Sequence, residues 1–221
     1  MRRVRAHRGD DGRTDFPSLG RVAKSHPLLE ACGSLDELNC VVGELAARVE
    51  ASSLETIKRR AIVRQLRRIQ GELFLIGSIL SGAPGRTSGS AARVRTLLRR
   101  LESEVKAMGA NLTPCRGFIL PGDNLLTSAA HLARAVCRRA ERNCVAAMGL
   151  EMSNGRSLRK NHGQDAHVMT HEPRADAILP YLNRLGHWLF VLARRLSQSL
   201  GRGEIASSGL RIADRRKRSL R

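Results

Sequence analysis

Ile62, Leu66, Ile69, Leu73, Ile76 and Leu80 fall at alternating steps of four and three residues. That alternation averages about 3.5 residues per repeat, close to the helical period, so the stripe keeps facing one helical neighbour along its whole length. The spacing predicts a helix over about 57–81, packed in a bundle with nearly parallel axes. The same rhythm recurs elsewhere. Leu35, Leu38, Val42, Leu45 and Val49 mark a first helix, and Ser34-Leu35-Asp36-Glu37 reads as its capping box, with Asp36 and Asn39 off the buried side. Val94, Leu97, Leu98, Leu101 and Val105 mark a third over about 91–109. A fourth, central helix buries Leu125, Ala129, Leu132, Val136, Ala140 and Cys144, and a fifth over about 176–200 buries Leu182, Leu185, Leu189, Leu192 and Leu196.

The fold class expected is therefore all-α, a five-helix bundle. Composition agrees: apolar residues make up 42% but aromatics only 3%, and Leu and Ala dominate, which favours packed helices over a sheet sandwich. At 221 residues the chain suits one domain. Residues 1–33 read as a loop segment with little periodicity, 34–200 as the bundle and 201–221 as a disordered basic tail. Ser153 to Pro173, rich in Gly, Asn, His and charge, reads as a flexible insertion. Its His162, His167 and His171 lack a partnering Cys or carboxylate pattern, so they read as surface histidines and no metal site is expected.

The central helix carries an unusual second stripe. Arg134, Arg138 and Arg142 lie four residues apart with Glu141 beside them, so three guanidinium groups stand on one face and repel each other. A solvated basic face would account for this; so would a polyphosphate site, since each Arg fork can bind phosphate oxygens in pairs. Ahead of the helix stands Phe118-Ile119-Leu120-Pro121-Gly122, an apolar segment on a Pro-Gly turn that is expected to pack beside the helix start. Gly9 to Thr14 could bring backbone amides near a phosphate, although Gly-Asp clusters also mark ordinary turns. No Walker loop or dinucleotide fingerprint is present.

The formal net charge of +19 points to polyanionic partners. No stretch approaches the roughly 18 consecutive apolar residues of a membrane span. Met1-Arg2-Arg3-Val4-Arg5 has no apolar stretch behind it and predicts no secretory signal. Cys32, Cys40, Cys115, Cys137 and Cys144 are odd in number and form no Cys-x-x-Cys pair, which predicts buried free thiols and a reducing, cytoplasmic location.

Five blocks occur in order: Ser34-Leu35-Asp36-Glu37-Leu38-Asn39; Arg68 through Gly77; Phe118 through Gly122; His131 through Arg142; and Tyr181 through Leu185 with Leu189 through Arg194. Together, from about residue 5 to residue 200, they resemble the PduO-type ATP:cob(I)alamin adenosyltransferases. The resemblance implies a five-helix, ferritin-like or cobalamin adenosyltransferase-like bundle assembled as a homotrimer with sites between subunits. It implies transfer of the 5′-deoxyadenosyl group of ATP, with Mg²⁺, to the Co(I) of a corrinoid bound first as cob(II)alamin. A reductase and an adenosylcobalamin-dependent enzyme are the further partners it implies, with no specific nucleic acid and no membrane.

Carried onto this chain, the resemblance makes Phe118 the aromatic on the lower corrin face and Arg138 the arginine that balances charge as triphosphate leaves. Asp36 and Arg134 become a pair bridging subunits. ATP contacts fall to Ala6, His7, Arg8, Gly9, Thr14, Asp15, Lys24, Arg138, Arg139, Glu141, Arg142 and Asn183. The chain departs from the family pattern in four places: Ala6 and His7 replace the usual Thr and Lys or Arg, Asp123 replaces the second glycine of Pro-Gly-Gly, Gly186-His187 replaces Ser-Asp, and the 153–173 loop is longer than typical. The altered 6–14 loop suits a corrinoid carrier or sensor without ATP turnover, and the charge alone suits a basic helical nucleic-acid-binding protein.

Overall fold

Small residues decide how closely the central helix packs, and with Leu126 and Val136 they form a seam that two other leucines of the same helix do not share. In the computed structural model, which describes residues 9–83, 89–115, 117–153, 156–159 and 172–201, the central helix α4 spans Leu125–Ala147. It buries Ala129, Ala130, Ala133, Cys137, Ala140 and Cys144 against two neighbours, α1 (Pro27–Glu50) on one side and α5 (Glu172–Ser199) on the other. Leu125 and Leu132, expected in this seam, are instead 73% and 51% exposed. They lie one position off the Ala and Cys stripe, and a helix pressed between two others presents its smallest residues where the axes come closest.

Around α4 and its neighbours, α2 (Thr56–Leu80) packs on α1 and α3 (Ser90–Gly109) packs on α5. The order around the bundle is α2, α1, α4, α5, α3. The seam on α2 is buried at Leu66, Ile69, Leu73, Ile76 and Leu80, and all five predicted leucines of α5 are fully buried. Each such side chain contributes about 1.5–3 kcal/mol. Pro180 sits inside α5 without breaking it.

The ring of helices closes between α2 and α3 through polar groups. Arg68 forms a two-pronged ion pair with Glu104 of α3 and a further one at 3.0 Å with Glu72. The Trp188 indole of α5 donates to Glu104 Oε2 at 2.9 Å. Between α1 and α2, Asn39 and Gln70 exchange side-chain to backbone hydrogen bonds at 3.3 and 3.1 Å. Asn39 is thus buried, not off the packed side as its position suggested. Gly43 makes this possible, since a Cβ there would lie 2.8 Å from Gln70 Nε2.

Helix α1 begins seven residues before the predicted capping box. Pro27 occupies the first turn, and His26 Nδ1 caps it by accepting from the Leu28 amide at 3.2 Å. Ser34 is a buried interior residue whose hydroxyl donates to the Ala31 carbonyl. Within the described part of the 1–33 segment, β1 (Arg13–Phe16) pairs antiparallel with β2 (Gly20–Ala23) where a loop was expected. A second hairpin, β3 (Leu150–Ser153) with β4 (Arg156–Arg159), occupies the start of the expected insertion. These two hairpins qualify the all-α expectation without altering the bundle. The remainder of the insertion, with His162, His167 and His171, and the tail after Gly201 lie outside the described residues.

Candidate functional site

The arginine stripe of α4 does not stand bare. Arg138 Nη1 lies 3.5 Å from Glu141 Oε2, one turn on, and Asn183 of α5 donates to Glu141 Oε1 at 3.1 Å. One carboxylate therefore orients a cation and an amide from two helices, leaving Arg138 about half exposed and aimed outward. The backbone of Gly186, another turn along α5, lies against the Arg138 side chain, with 3.7 Å between Arg138 Cδ and the place a Cβ would take. Gly186 was not among the predicted site residues, and its signal was the small residue in line with Asn183. Arg139 turns away and pairs with Glu37 of α1. Arg142 is exposed at the end of the stripe.

A second cluster forms at the amino-terminal hairpin. Phe16 is 5% exposed and pins the hairpin to the core. The Lys24 amide donates to the Gly12 carbonyl at 2.8 Å, and a Cβ on Gly9 would meet Lys24 Nζ at 3.2 Å, so the ammonium lies over the Gly9 turn. Arg21 braces this turn by two hydrogen bonds to Asp11, 2.9 and 2.8 Å, and that contact holds the Asp11 carboxyl below its ordinary value. Thr14 and Asp15 stand in β1 opposite Val22 and Arg21. Ala6, His7 and Arg8 lie outside the described residues.

Other predicted pairs are not joined within one chain. Asp36 is exposed on a groove between α1 and α2, lined also by Phe16, Asn39, Leu73 and Phe74, and forms no ion pair with Arg134. Among the described residues the buried Arg134 Nε has no hydrogen-bond acceptor, and Asn39 Oδ1, in the same groove as Asp36, has no donor. Phe118 is 85% exposed, so it does not pack beside the helix start as expected. From Leu125 to Arg138 the helix alone rises about 20 Å, and neither Phe118 nor Arg138 lines the pocket beneath Ile119 and Leu120, the groove between α1 and α2 or the hollow between α2 and α3. Phe118, Asp36 and Arg138 are thus all turned to the outside of a single chain.

Residues 4–196 match the cobalamin adenosyltransferase family. The chain belongs to that family. Among its relatives, the corrinoid adenosyltransferase of Mycobacterium tuberculosis is 33% identical over 88% of each chain. The cobalamin adenosyltransferase of Cupriavidus metallidurans is 32% identical over 93% of this chain and 94% of its own. Among solved structures, a variant PduO-type ATP:corrinoid adenosyltransferase from Lactobacillus reuteri, complexed with ATP, superposes with a TM-score of 0.67 at 25% identity over 92% of this chain and 99% of that one. Another variant of the same enzyme, complexed with cobalamin and ATP, gives a TM-score of 0.70 at 24% identity over 93% and 97%.

This adenosyltransferase-family chain shares the fold of those structures and builds it on five helices among its described residues. Its cysteines are all free, with Cys137 and Cys144 buried but Cys40 and Cys115 exposed, against the expectation that all are internal. Among the described residues no group of His, Cys, Asp and Glu could hold a metal ion, and no helix is long and apolar enough to cross a membrane.

Proposed function

We propose that the chain transfers the 5′-deoxyadenosyl group of ATP to the cobalt of a reduced corrinoid, at sites formed between copies in a homotrimer. Cobalt in the Co(I) state supplies the electron pair that forms the bond to C5′, the C5′–O bond breaks, and triphosphate leaves with the bonding electrons. The observation that carries this reading is the Arg138–Glu141–Asn183 cluster, in which an outward guanidinium is held in place on a helix that belongs to this family.

Arg138 in this reading meets the charge that develops on the leaving triphosphate, an electrostatic role best served by a group already oriented before reaction. Lys24 over the Gly9 turn, with Arg142 and the 6–8 segment, holds the remaining phosphate oxygens, while Thr14 and Asp15 line the approach. The Arg139 guanidinium is engaged by Glu37 and supports α4 against α1. Mg²⁺ rides on phosphate oxygens, the arrangement usual for a cation that keeps most of its own water. Phe118 stands against the lower corrin face, where an apolar ring excludes water and an axial donor and so favours reduction of cobalt. The buried, unpartnered Arg134 Nε and the exposed Asp36 support the trimer, because a neighbouring copy would supply each with the other. The free cysteines support a reducing, cytoplasmic setting.

The test is an assay with ATP and chemically reduced cobalamin. Adenosylcobalamin forms, and Arg138→Ala slows its formation by about a hundredfold. No product from folded protein rejects the enzyme reading, and cobalamin binding without ATP binding selects a carrier or sensor.

A further inference from the structure

The segment that carries Phe118 has little of its own to hold it. Phe118 is exposed, and the glycines on either side, Gly117 at φ 101° and Gly122 at φ 115°, take up backbone that side-chain-bearing residues resist. Two such pivots leave an aromatic ring free to swing unless something outside the segment fixes it.

The fixing groups come from α4 and α5 and converge on one carboxylate. Ser197 Oγ, near the end of α5, donates to Asp123 Oδ2 at 2.6 Å. The Thr127 hydroxyl, in the first turn of α4, donates to Asp123 Oδ1. Asn124 Nδ2 adds a third hydrogen bond to Oδ2 at 3.1 Å, while its own Oδ1 caps α4 through the Leu126 and Thr127 amides. Burial pushes the Asp123 carboxyl up, but these three donors outweigh it and leave it below the usual range, hence ionised at neutral pH. Upstream of Phe118, Arg194 donates to the Thr113 carbonyl at 2.5 Å and Gln198 to the Asn111 carbonyl at 3.1 Å. The last turns of α5 thus grip the segment before and after the ring. Ile119 and Leu120 roof a small cavity whose floor is Asp123, Thr127, His131 and Ser197.

We infer that Asp123 is a positioning residue for the adenosyl transfer: by tying the exit of the loop to Thr127 and Ser197 it sets where Phe118 stands against the corrinoid. The inference rests on the proposed adenosyltransferase reading and adds to it a residue that touches neither substrate. Its charge-assisted hydrogen bonds are stronger than neutral ones, which suits a single side chain fixing a loop with two glycine pivots.

The experiment uses full-length protein with ATP and cob(II)alamin, and reads by electron paramagnetic resonance the share of bound cobalt that has lost its lower axial ligand. Asp123→Ala and Ser197→Ala each lower that share about fivefold and the turnover number about tenfold, with KM for ATP within about twofold, as a misplaced group requires. Asp123→Asn, which keeps an oxygen for Thr127, falls between parent and Asp123→Ala. Phe118→Ala loses the ligand-free signal altogether. Should Asp123→Ala fail to fold, Ser197→Ala decides, since it leaves the cap of α4 intact. Parent-like signal and turnover in the folded Asp123 and Ser197 variants, beside a Phe118→Ala that has lost both, overturns this inference alone. A Phe118→Ala variant that keeps the parent's signal overturns the reading beneath it as well.

Discussion

The phenol of Tyr181, at the heart of α5, donates a 2.6 Å hydrogen bond to Glu72 Oε2 of α2, and both residues are buried. Tyr181 cannot lose its proton there: burial raises its pKa well above the ordinary phenol value, and the facing Glu72 carboxylate adds to the rise. Removing the hydroxyl leaves the Glu72 oxygen short of a donor in an interior where water cannot replace it. Tyr181→Phe is expected to cost about 1–3 kcal/mol, read as a lower urea midpoint with an unchanged slope.

The same carboxyl makes stability depend on pH. Burial raises the Glu72 pKa by more than Tyr181, Arg68 and Arg100 lower it. Folded protein therefore keeps this proton after the unfolded chain has lost it. The contribution of Glu72 is complete below the ordinary glutamate range and fades as pH rises through the folded value. Urea midpoints of the parent relative to Glu72→Gln should shift in the parent's favour toward acid and lose that gain toward neutrality.

Thiol reactivity should divide along burial. Burial pushes the thiols of Cys137 and Cys144 up to about 12 and that of Cys32 to about 11. At mildly alkaline pH these carry almost no thiolate, which is the reactive form. Alkylation of native protein, mapped by mass spectrometry, should label Cys40 and Cys115 first, and the other three only on unfolding.

Glu141 should matter to rate more than to folding. It is the shared anchor of Arg138 and Asn183, and its loss frees both side chains without opening the Ala and Cys seam beneath. Glu141→Ala is expected to lower turnover about tenfold while the melting temperature stays near that of the parent.

Gly122 should not tolerate a side chain. Its φ of 115° is left-handed, and an added Cβ would sit 3.3 Å from Ser128 Oγ. Gly122→Ala should destabilise the chain by about 1–3 kcal/mol and also weaken corrinoid binding, measured by absorbance titration, because Phe118 moves with the loop.

Much of the bundle could be read from periodicity, since the α2 and α5 stripes are built from large aliphatic residues that have few alternatives to the core. Where reading by leucine failed, on α4, the deciding quantity was axis separation, which favours Ala and Cys and leaves Leu125 and Leu132 outside. The start of α1 was hidden because its cap is an imidazole: Pro27 signalled a first turn, but the Ser34 pattern, directly ahead of an apolar run and three residues before Glu37, looked stronger. The Arg138–Glu141 step and the local bonds of Asp123 follow from spacing, but the contacts of Asn183 with Glu141 and of Ser197 with Asp123 do not, since each joins elements remote in sequence. Phe118 and Asp36 lie farther still from legibility, because exposed side chains leave no packing rhythm in a sequence.

Trp188 is the sole tryptophan, fully buried, and its indole proton goes to the Glu104 oxygen that also meets Arg68. Its fluorescence is therefore a local gauge of the spot where three helices lock by charge. Emission should redden when α2 and α3 part, even while the aliphatic remainder of the protein stays assembled.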